Sequence, residues 1–285
     1  MDTKNKSNNK YTDLVRNIGE ILIPLVIYYI TYLLSYIVLT ILVIEIMQLD
    51  RYIFGHETTV RAILGDISML IGILPLLSNL KRELDGRQKQ DIHAGNTTDL
   101  KNIKVIRDIP LYKSALITIT LAITSSVAIN ILFIWLHLTE SSETYNRVAE
   151  HQYGVSLVTG LILYGIISPL AEEVVFRGII YNRIRRNYSI TAAVFLSASL
   201  FGLYHGNIVQ GTYGFLMGIL IAYTYERYGR FFHAYLFHAA ANTAVYIITS
   251  NEAISDLIIT PHICLIFILI SAFLLWRMKK MKLIK

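Results

Sequence analysis

The stretch Leu170-Ala-Glu-Glu-Val-Val-Phe-Arg-Gly178 puts three ionisable side chains, those of Glu172, Glu173 and Arg177, inside a long apolar sequence. An ionisable group at the centre of a membrane helix costs roughly 2.5–3.5 kcal/mol on insertion scales. Such groups are retained where they face the interior of a helix bundle, pair with one another or take part in chemistry. We therefore expect other parts of the chain to hold polar partners against this stretch.

The surrounding chain has the composition of a membrane protein. Of its 285 residues, 54% are hydrophobic, and the mean hydropathy is +0.50. Several uninterrupted apolar runs are long enough to span a bilayer as helices, and they exclude a β-barrel, whose strands have about 10 residues of alternating polarity. The predicted fold class is an all-α, polytopic membrane helical bundle.

Eight segments are predicted to cross the membrane. Their approximate bounds are 21–44, 62–80, 114–136, 153–186, 190–205, 212–225, 232–249 and 261–276. The polar start and the long first run predict that no signal peptide is cleaved and that this run stays as an anchor. Pro169 is expected to kink the fourth segment, because proline removes a main-chain hydrogen bond.

The loops between these segments alternate in their content of Lys and Arg. Because basic loops stay on the cytoplasmic side, the alternation predicts a multi-pass protein of the cell membrane with both termini in the cytoplasm. The net charge of +6 therefore reports topology, and no nucleic-acid partner is expected. Three regions follow: membrane spans in 1–150 with a polar, mobile cytoplasmic loop at 81–110, a core at 151–250, and a last span with a basic tail at 251–285.

The paired carboxylates in the opening stretch favour a division of roles. Glu173 and Arg177 are four residues apart, so they can pair along one helix face. Glu172 points about 100° away from its neighbour and is left to face elsewhere. An unpaired carboxylate in a water-poor cavity is suited to general acid–base catalysis. The alternative interpretation is a Glu–Arg clamp that only joins helices.

Two later segments contain polar side chains on apolar helices. His205 ends the sequence Phe201-Gly-Leu-Tyr-His205, and it can be a catalytic group or a packing residue. His238 and Asn242 share one helix face across three alanines. Two donors on one face can stabilise an oxyanion. They can equally form an interhelical hydrogen-bonding pair, worth about 0.6–2 kcal/mol in a membrane.

Taken together, the motifs Glu172-Glu-x-x-x-Arg177, Phe201-x-x-x-His205 and His238-x-x-x-Asn242 are far more specific than any one of them. Their order resembles that of the CPBP family of intramembrane proteases, which includes the type II CAAX prenyl endopeptidases and the bacterial Abi proteins. The resemblance covers roughly 154–250, and 1–150 shows nothing similar. Further matching runs are Phe176-Arg177-Gly178, Gly214 to Gly218 and Tyr225 to Gly229.

The resemblance implies an enzyme, an intramembrane endopeptidase that hydrolyses a membrane-associated or lipidated peptide. Glu172 would activate water, His205 would help to hold it, and His238 and Asn242 would stabilise the oxyanion. Glu173 and Arg177 would orient the site. In a bacterium such an enzyme would serve peptide maturation or self-immunity to bacteriocins. The expected partners are the lipid bilayer and the peptide substrate.

Three alternatives remain open at this point. The first concerns the cofactor: no metal is expected, but Glu172, His205 and His238 form a His₂Glu set of the type that binds catalytic zinc. The second is a non-catalytic scaffold or immunity protein that binds a partner helix through the same polar cluster. The third is a proton-coupled transporter, which the lack of internal repeats disfavours.

Overall fold

The computed structural model describes residues 2–43, 55–95, 109–140 and 142–281. Within these ranges the regular elements are helices and no strand occurs, which confirms the all-α class. In chain order the helices are α1 Asp2–Ile41, α2 Glu57–Ile73, α3 Leu77–Gly95, α4 Leu111–Trp135, α5 Glu143–Tyr153, α6 Leu157–Asn187, α7 Ile190–Tyr204, α8 Ile208–Tyr228, α9 Phe231–Thr249, α10 Glu252–Ile258 and α11 Pro261–Lys280.

The helices agree with a polytopic membrane protein. Six helical stretches of the described chain are long and apolar enough to cross a membrane: Val15–Ile41, Glu57–Gln90, Leu111–Trp135, Leu157–Asn187, Ile208–Tyr228 and Pro261–Lys280. Helices α7 and α9 correspond to the other two predicted spans. The count of eight crossings and the cytoplasmic location of the termini remain predictions.

Helix α6 lies at the centre of the bundle. All residues from 171 to 185 are buried, and this part of the helix contacts α1, α3, α7, α8 and α9. In α1, by contrast, only 11% of the most apolar part of Val15–Ile41 is buried, as expected for a helix that faces lipid. The stretch Leu170–Gly178 therefore has apolar side chains on every face because other helices surround it, and its three ionisable side chains lie inside the bundle.

The kink predicted at Pro169 stays a prediction, and the helix around it contains two wide turns. Residues Leu163–Ile167 are π-helical, and the main-chain N–H of Ser168 donates to the carbonyl of Leu163. A second π-helical stretch, Val174–Tyr181, follows directly after Glu173. π-Helical turns are rare and occur frequently at functional sites. The paired glutamates therefore lie on the short α-helical segment Ser168–Glu173 between two wide turns.

The prediction of a mobile loop at 81–110 is wrong for its first half. Helix α3 runs to Gly95 and continues α2 through one 3₁₀ turn, Leu74–Leu76. Glu83 and Arg87 lie four residues apart on α3, and both are buried. Their partners lie in α6 and α8, which composition alone does not show. Residues 96–108 lie outside the described residues.

Candidate active site

Glu173 and Arg177 form a buried ion pair on α6. The Arg177 guanidinium donates to Glu173 Oε1 at 2.9 Å, and both side chains are fully buried. Arg177 also donates to the carbonyl of Gly218 at 3.2 Å and lies over the ring of Phe201, 4.5 Å from its centroid. An alanine at 218 would bring its Cβ to 3.2 Å from this guanidinium. The charge of Glu173 is therefore compensated by a cation held rigidly in place.

His238 bridges the two glutamates. Its Nδ1 lies 2.8 Å from Glu173 Oε1, and its Nε2 lies 3.6 Å from Glu172 Oε2. Because the ionised carboxylate of Glu173 can only accept, Nδ1 carries the hydrogen and donates it. The distance of 3.6 Å is too long for a hydrogen bond but short enough for an ion pair. Glu172 therefore keeps free lone pairs.

His205 lies at the C-terminal end of α7 with one ring nitrogen committed. Its Nδ1 donates to the carbonyl of Phe201 at 2.8 Å, which leaves Nε2 as the acceptor of the neutral ring. The ring rests against Gly214 of α8, where an added Cβ would come within 3.2 Å of it. The Phe201 ring lies edge-on to both imidazoles, with centroid distances of 4.8 Å to His205 and 5.5 Å to His238.

Asn242 compensates for the missing N–H of Pro169. In a π-helical turn the carbonyl of Tyr164 would accept from residue 169, which as proline has no N–H to donate. The Asn242 side-chain nitrogen donates to this carbonyl at 3.1 Å instead. One of its two amide hydrogens is thus used in an interhelical hydrogen bond, and the other is left for a ligand.

The four predicted catalytic residues line one cavity of about 280 Å³. A cavity of this size has room for several water molecules. Helix α7 has 15 residues, about 22 Å at 1.5 Å per residue, so it is shorter than the ~30 Å hydrocarbon core. His205, which directly follows its last turn, lines the same cavity as Glu172.

The structure adds a buried carboxylate to the neighbourhood of the cavity. Asp66 of α2 is 3% exposed, and it accepts a hydrogen bond of 2.7 Å from Ser168, a cavity residue four positions before Glu172. Asp66 lies within the second predicted span, 62–80, and is not among the predicted site residues. The signal that could have found it is its charge, because an acidic side chain inside an apolar span is a functional candidate by default.

The residues as placed do not form a zinc site. Among the side chains that the structure describes, no group of three His, Cys, Asp or Glu lies close enough together to hold a metal ion. Glu172 and His238 are neighbours, but His205 does not complete a three-ligand set with them. The expectation that no metal takes part remains a prediction.

His233, which is not among the predicted site residues, does not line the cavity. It is 1% exposed, stacks on Tyr228 with a centroid distance of 4.4 Å, and shares a 3.0 Å hydrogen bond with Ser114 of α4. These contacts join the beginnings of α9 and α4.

Comparison with protein families gives one match. Residues 154–244 match the family described as type II CAAX prenyl endopeptidase Rce1-like. The match confirms the resemblance predicted from the three motifs and includes all six predicted site residues. No curated protein and no solved structure matched the chain. The core of this membrane protein is therefore similar to a family of CAAX-type proteases.

Proposed function

We propose that this protein is an intramembrane endopeptidase of the cell membrane that hydrolyses a peptide bond of a membrane-associated or lipidated peptide. The observation that carries the proposal is the arrangement of Glu172, His205, His238 and Asn242 around one cavity. The family match of residues 154–244 supports the same reaction class. Helices on all sides keep the cavity within the bundle, where electrostatic interactions are stronger than in water.

Charge balance explains why two carboxylates tolerate such burial. Glu172 and Glu173 supply two negative charges, and Arg177 supplies one positive charge. A proton on the imidazole of His238 makes the cluster neutral, and buried charges need such compensation. His238 then donates from Nδ1 to Glu173 and presents an N–H at Nε2 toward the cavity.

In the proposed reaction, Glu172 takes a proton from a water molecule as its oxygen attacks the peptide carbonyl carbon. His205 accepts the other hydrogen of this water at Nε2 and so orients it. The carbon–oxygen double bond opens to an oxyanion, which accepts hydrogen bonds from His238 Nε2 and from the second amide hydrogen of Asn242. Donors placed in advance of the reaction are among the largest contributions to catalysis of this kind.

The second half of the reaction returns the proton. The oxyanion re-forms the carbonyl, the carbon–nitrogen bond breaks, and Glu172 gives its proton to the leaving amine. Glu173 and Arg177 take no part in proton transfer, since they hold the imidazole of His238 in one orientation. No step needs a metal, and none is routed through one.

The test compares membrane peptides from cells that carry the wild-type protein with those from cells that carry Glu172→Ala. We expect at least one peptide to be cleaved only with the wild type, with or without a chelator, because Glu172 is the proposed base. The matched control is Glu252→Ala, which removes an exposed glutamate of α10 and should leave the peptides unchanged.

Two outcomes would contradict the proposal. Unchanged cleavage with Glu172→Ala would remove Glu172 from the mechanism. A biological function retained by Glu172→Gln, which keeps shape and hydrogen bonding but cannot act as a base, would favour the scaffold. Loss of cleavage on chelation that only zinc restores would contradict the metal-free reaction.

A further inference from the structure

The two ends of the helix bundle carry opposite charge. At one end, which we call the Arg-rich end, the described segments 16–20, 81–90, 113, 183–187, 226–230 and 277–280 carry 14 Lys or Arg and 4 Asp or Glu. Ion pairs join these segments, for example Arg183–Glu83 at 2.9 Å and Arg185–Glu226 at 2.8 Å. They therefore lie side by side in space and form one basic surface.

At the other end, which we call the acidic end, the balance is reversed. The described segments 55–61, 136–140, 142–156, 205–208 and 250–260 carry six acidic residues and two basic ones. The acidic residues are Glu57, Glu140, Glu143, Glu150, Glu252 and Asp256, and the basic ones are Arg61 and Arg147. Basic segments stay on the cytoplasmic side of a membrane, so this asymmetry orients the molecule.

The cavity extends to the acidic end. One face of helix α5 lines it, with Tyr145, Ala149, Gln152 and Tyr153 at helical spacing, and Gln210 lines it from the beginning of α8. None of the residues that line it belongs to the Arg-rich end. On that side Glu172 is followed by thirteen buried residues, 173 to 185, which separate the cavity from the basic surface.

Helix α5 is a cap on this cavity that is attached mainly at one end. None of its residues is buried. Its C-terminal end is joined to α9, because the Tyr246 hydroxyl donates to the carbonyl of Gln152 at 3.1 Å and the rings of Tyr153 and Tyr246 stack at 5.2 Å. Residues of this thinly packed cap and of the helix ends below it line the same cavity as Glu172.

The cavity wall beneath the cap is polar but uncharged. Its polar groups include amides and phenols, as in Asn130, Gln152 and Tyr145, and no Lys or Arg lines it. The phenols stay neutral at physiological pH, because the ordinary pKa of tyrosine is about 10. Amides and hydroxyls can both donate and accept hydrogen bonds, which suits an extended main chain. A charged side chain would find no counter-ion here until it reached Glu172.

We propose that the substrate reaches Glu172 from the acidic end, beneath helix α5, and that the peptide bond cut there lies in an extended, uncharged segment presented on the non-cytoplasmic side of the membrane. This inference rests on the proposed protease function, because only a protease would take a peptide substrate here. The direction of access itself follows from the charge asymmetry and the cavity wall, and it can be tested without catalysis.

The experiment labels single cysteines with a membrane-impermeant, charged maleimide in intact cells and again after permeabilisation. The natural Cys264 is 2% exposed, so the parent chain should react only when denatured and serves as the baseline. Gln152→Cys and Gln210→Cys place a thiol on the cavity wall. Gln88→Cys is the matched control, because Gln88 is an exposed glutamine of α3 at the Arg-rich end.

We expect both cavity cysteines to be labelled in intact cells as fully as after permeabilisation, and the cysteine at 88 only after permeabilisation. The reverse pattern, or cavity cysteines that react in neither condition while Cys264 stays protected, would overturn the inference. A misfolded variant is recognised by labelling of Cys264, and the second cavity position then decides. The same labelling in a Glu172→Ala background separates this result from any failure of the protease proposal.

Discussion

Two clusters of buried carboxylates and cations lie along helix α6, and they differ in how fully the carboxylates are bound. At the Arg-rich end, Glu226 accepts hydrogen bonds from Tyr181 at 2.8 Å, from Arg87 at 3.0 Å and from Arg185 at 2.8 and 3.0 Å. In the cavity, the described contacts of Glu172 include one ion pair, with His238 at 3.6 Å. The first carboxylate is saturated with donors, and the second keeps its lone pairs for a ligand.

This difference separates stabilisation from chemistry. A carboxylate bound by two arginines and a phenol cannot accept a proton without breaking several charge-assisted hydrogen bonds. A carboxylate that faces water across a cavity can accept one at little structural cost. Both clusters contain glutamate and arginine, and Glu172 and Glu226 are each 9% exposed, so burial does not decide the role. The number of donors that reach each carboxylate does.

The largest expected effect is on catalysis at the unsaturated carboxylate. We predict that Glu172→Gln lowers the rate of peptide cleavage by roughly 10²–10⁴-fold, the usual contribution of a general acid–base group. Thermal unfolding in detergent should stay close to that of the wild type, because the amide occupies the same space. Cleavage kinetics and unfolding are measured on the same preparation.

The matched change at the saturated carboxylate, Glu226, should lower stability and leave the rate of cleavage unchanged. We predict that Glu226→Gln lowers the free energy of unfolding by about 3–5 kcal/mol, since it removes the charge of the buried carboxylate that pairs with both Arg87 and Arg185. The fraction of protein that remains folded should cleave at the wild-type rate. Denaturant unfolding measures the loss.

An exposed ion pair is the control for this second change. Glu143 and Arg147 lie 3.8 Å apart on the surface of α5, so Glu143→Gln should leave unfolding unchanged, as expected for exposed pairs. If Glu226→Gln impaired cleavage of folded protein as strongly as Glu172→Gln does, the distinction between the two clusters would be wrong.

The smallest expected effect comes from the packing behind His205. We predict that Gly214→Ala lowers cleavage about 3- to 10-fold, because its Cβ would displace the imidazole by a few tenths of an ångström, and a shift of 1 Å can cost about 100-fold. The control is Gly86→Ala, which meets no atom within 4 Å on an exposed part of α3. It should preserve cleavage and raise the stability by roughly 0.5–1 kcal/mol. Equal rates for the two variants would show that the position of His205 does not matter.

Much of the site could be predicted from the sequence because its charged residues lie in apolar segments. Glu172, Glu173 and Arg177 are conspicuous because charge is rare in apolar segments, and the pairing of Glu173 with Arg177 follows from a spacing of four on one helix. The helical class follows from the length of the apolar runs. The roles given to these residues stay predictions until the variants are measured.

Other features could not be read from the chain, since their partners are far apart in it. Arg87 meets Glu226 across 139 positions, and Ser168 meets Asp66 across 102. The hydrogen bond from Asn242 to Tyr164 depends on a π-helical turn, which the spacing of apolar residues in the sequence does not predict. For the same reason a polar segment was assigned to a loop although Glu83 and Arg87 are buried in it.

The sequence by itself determined that this protein is a helical membrane protein and which ionisable residues lie at membrane depth, because the bilayer penalises unpaired polar groups so strongly that they stand out. Only the tertiary structure decided which carboxylate is saturated and which one faces the cavity. It also decided that the cavity extends to the acidic end. These properties depend on how helices from distant parts of the chain pack together, and packing is not encoded in any local spacing.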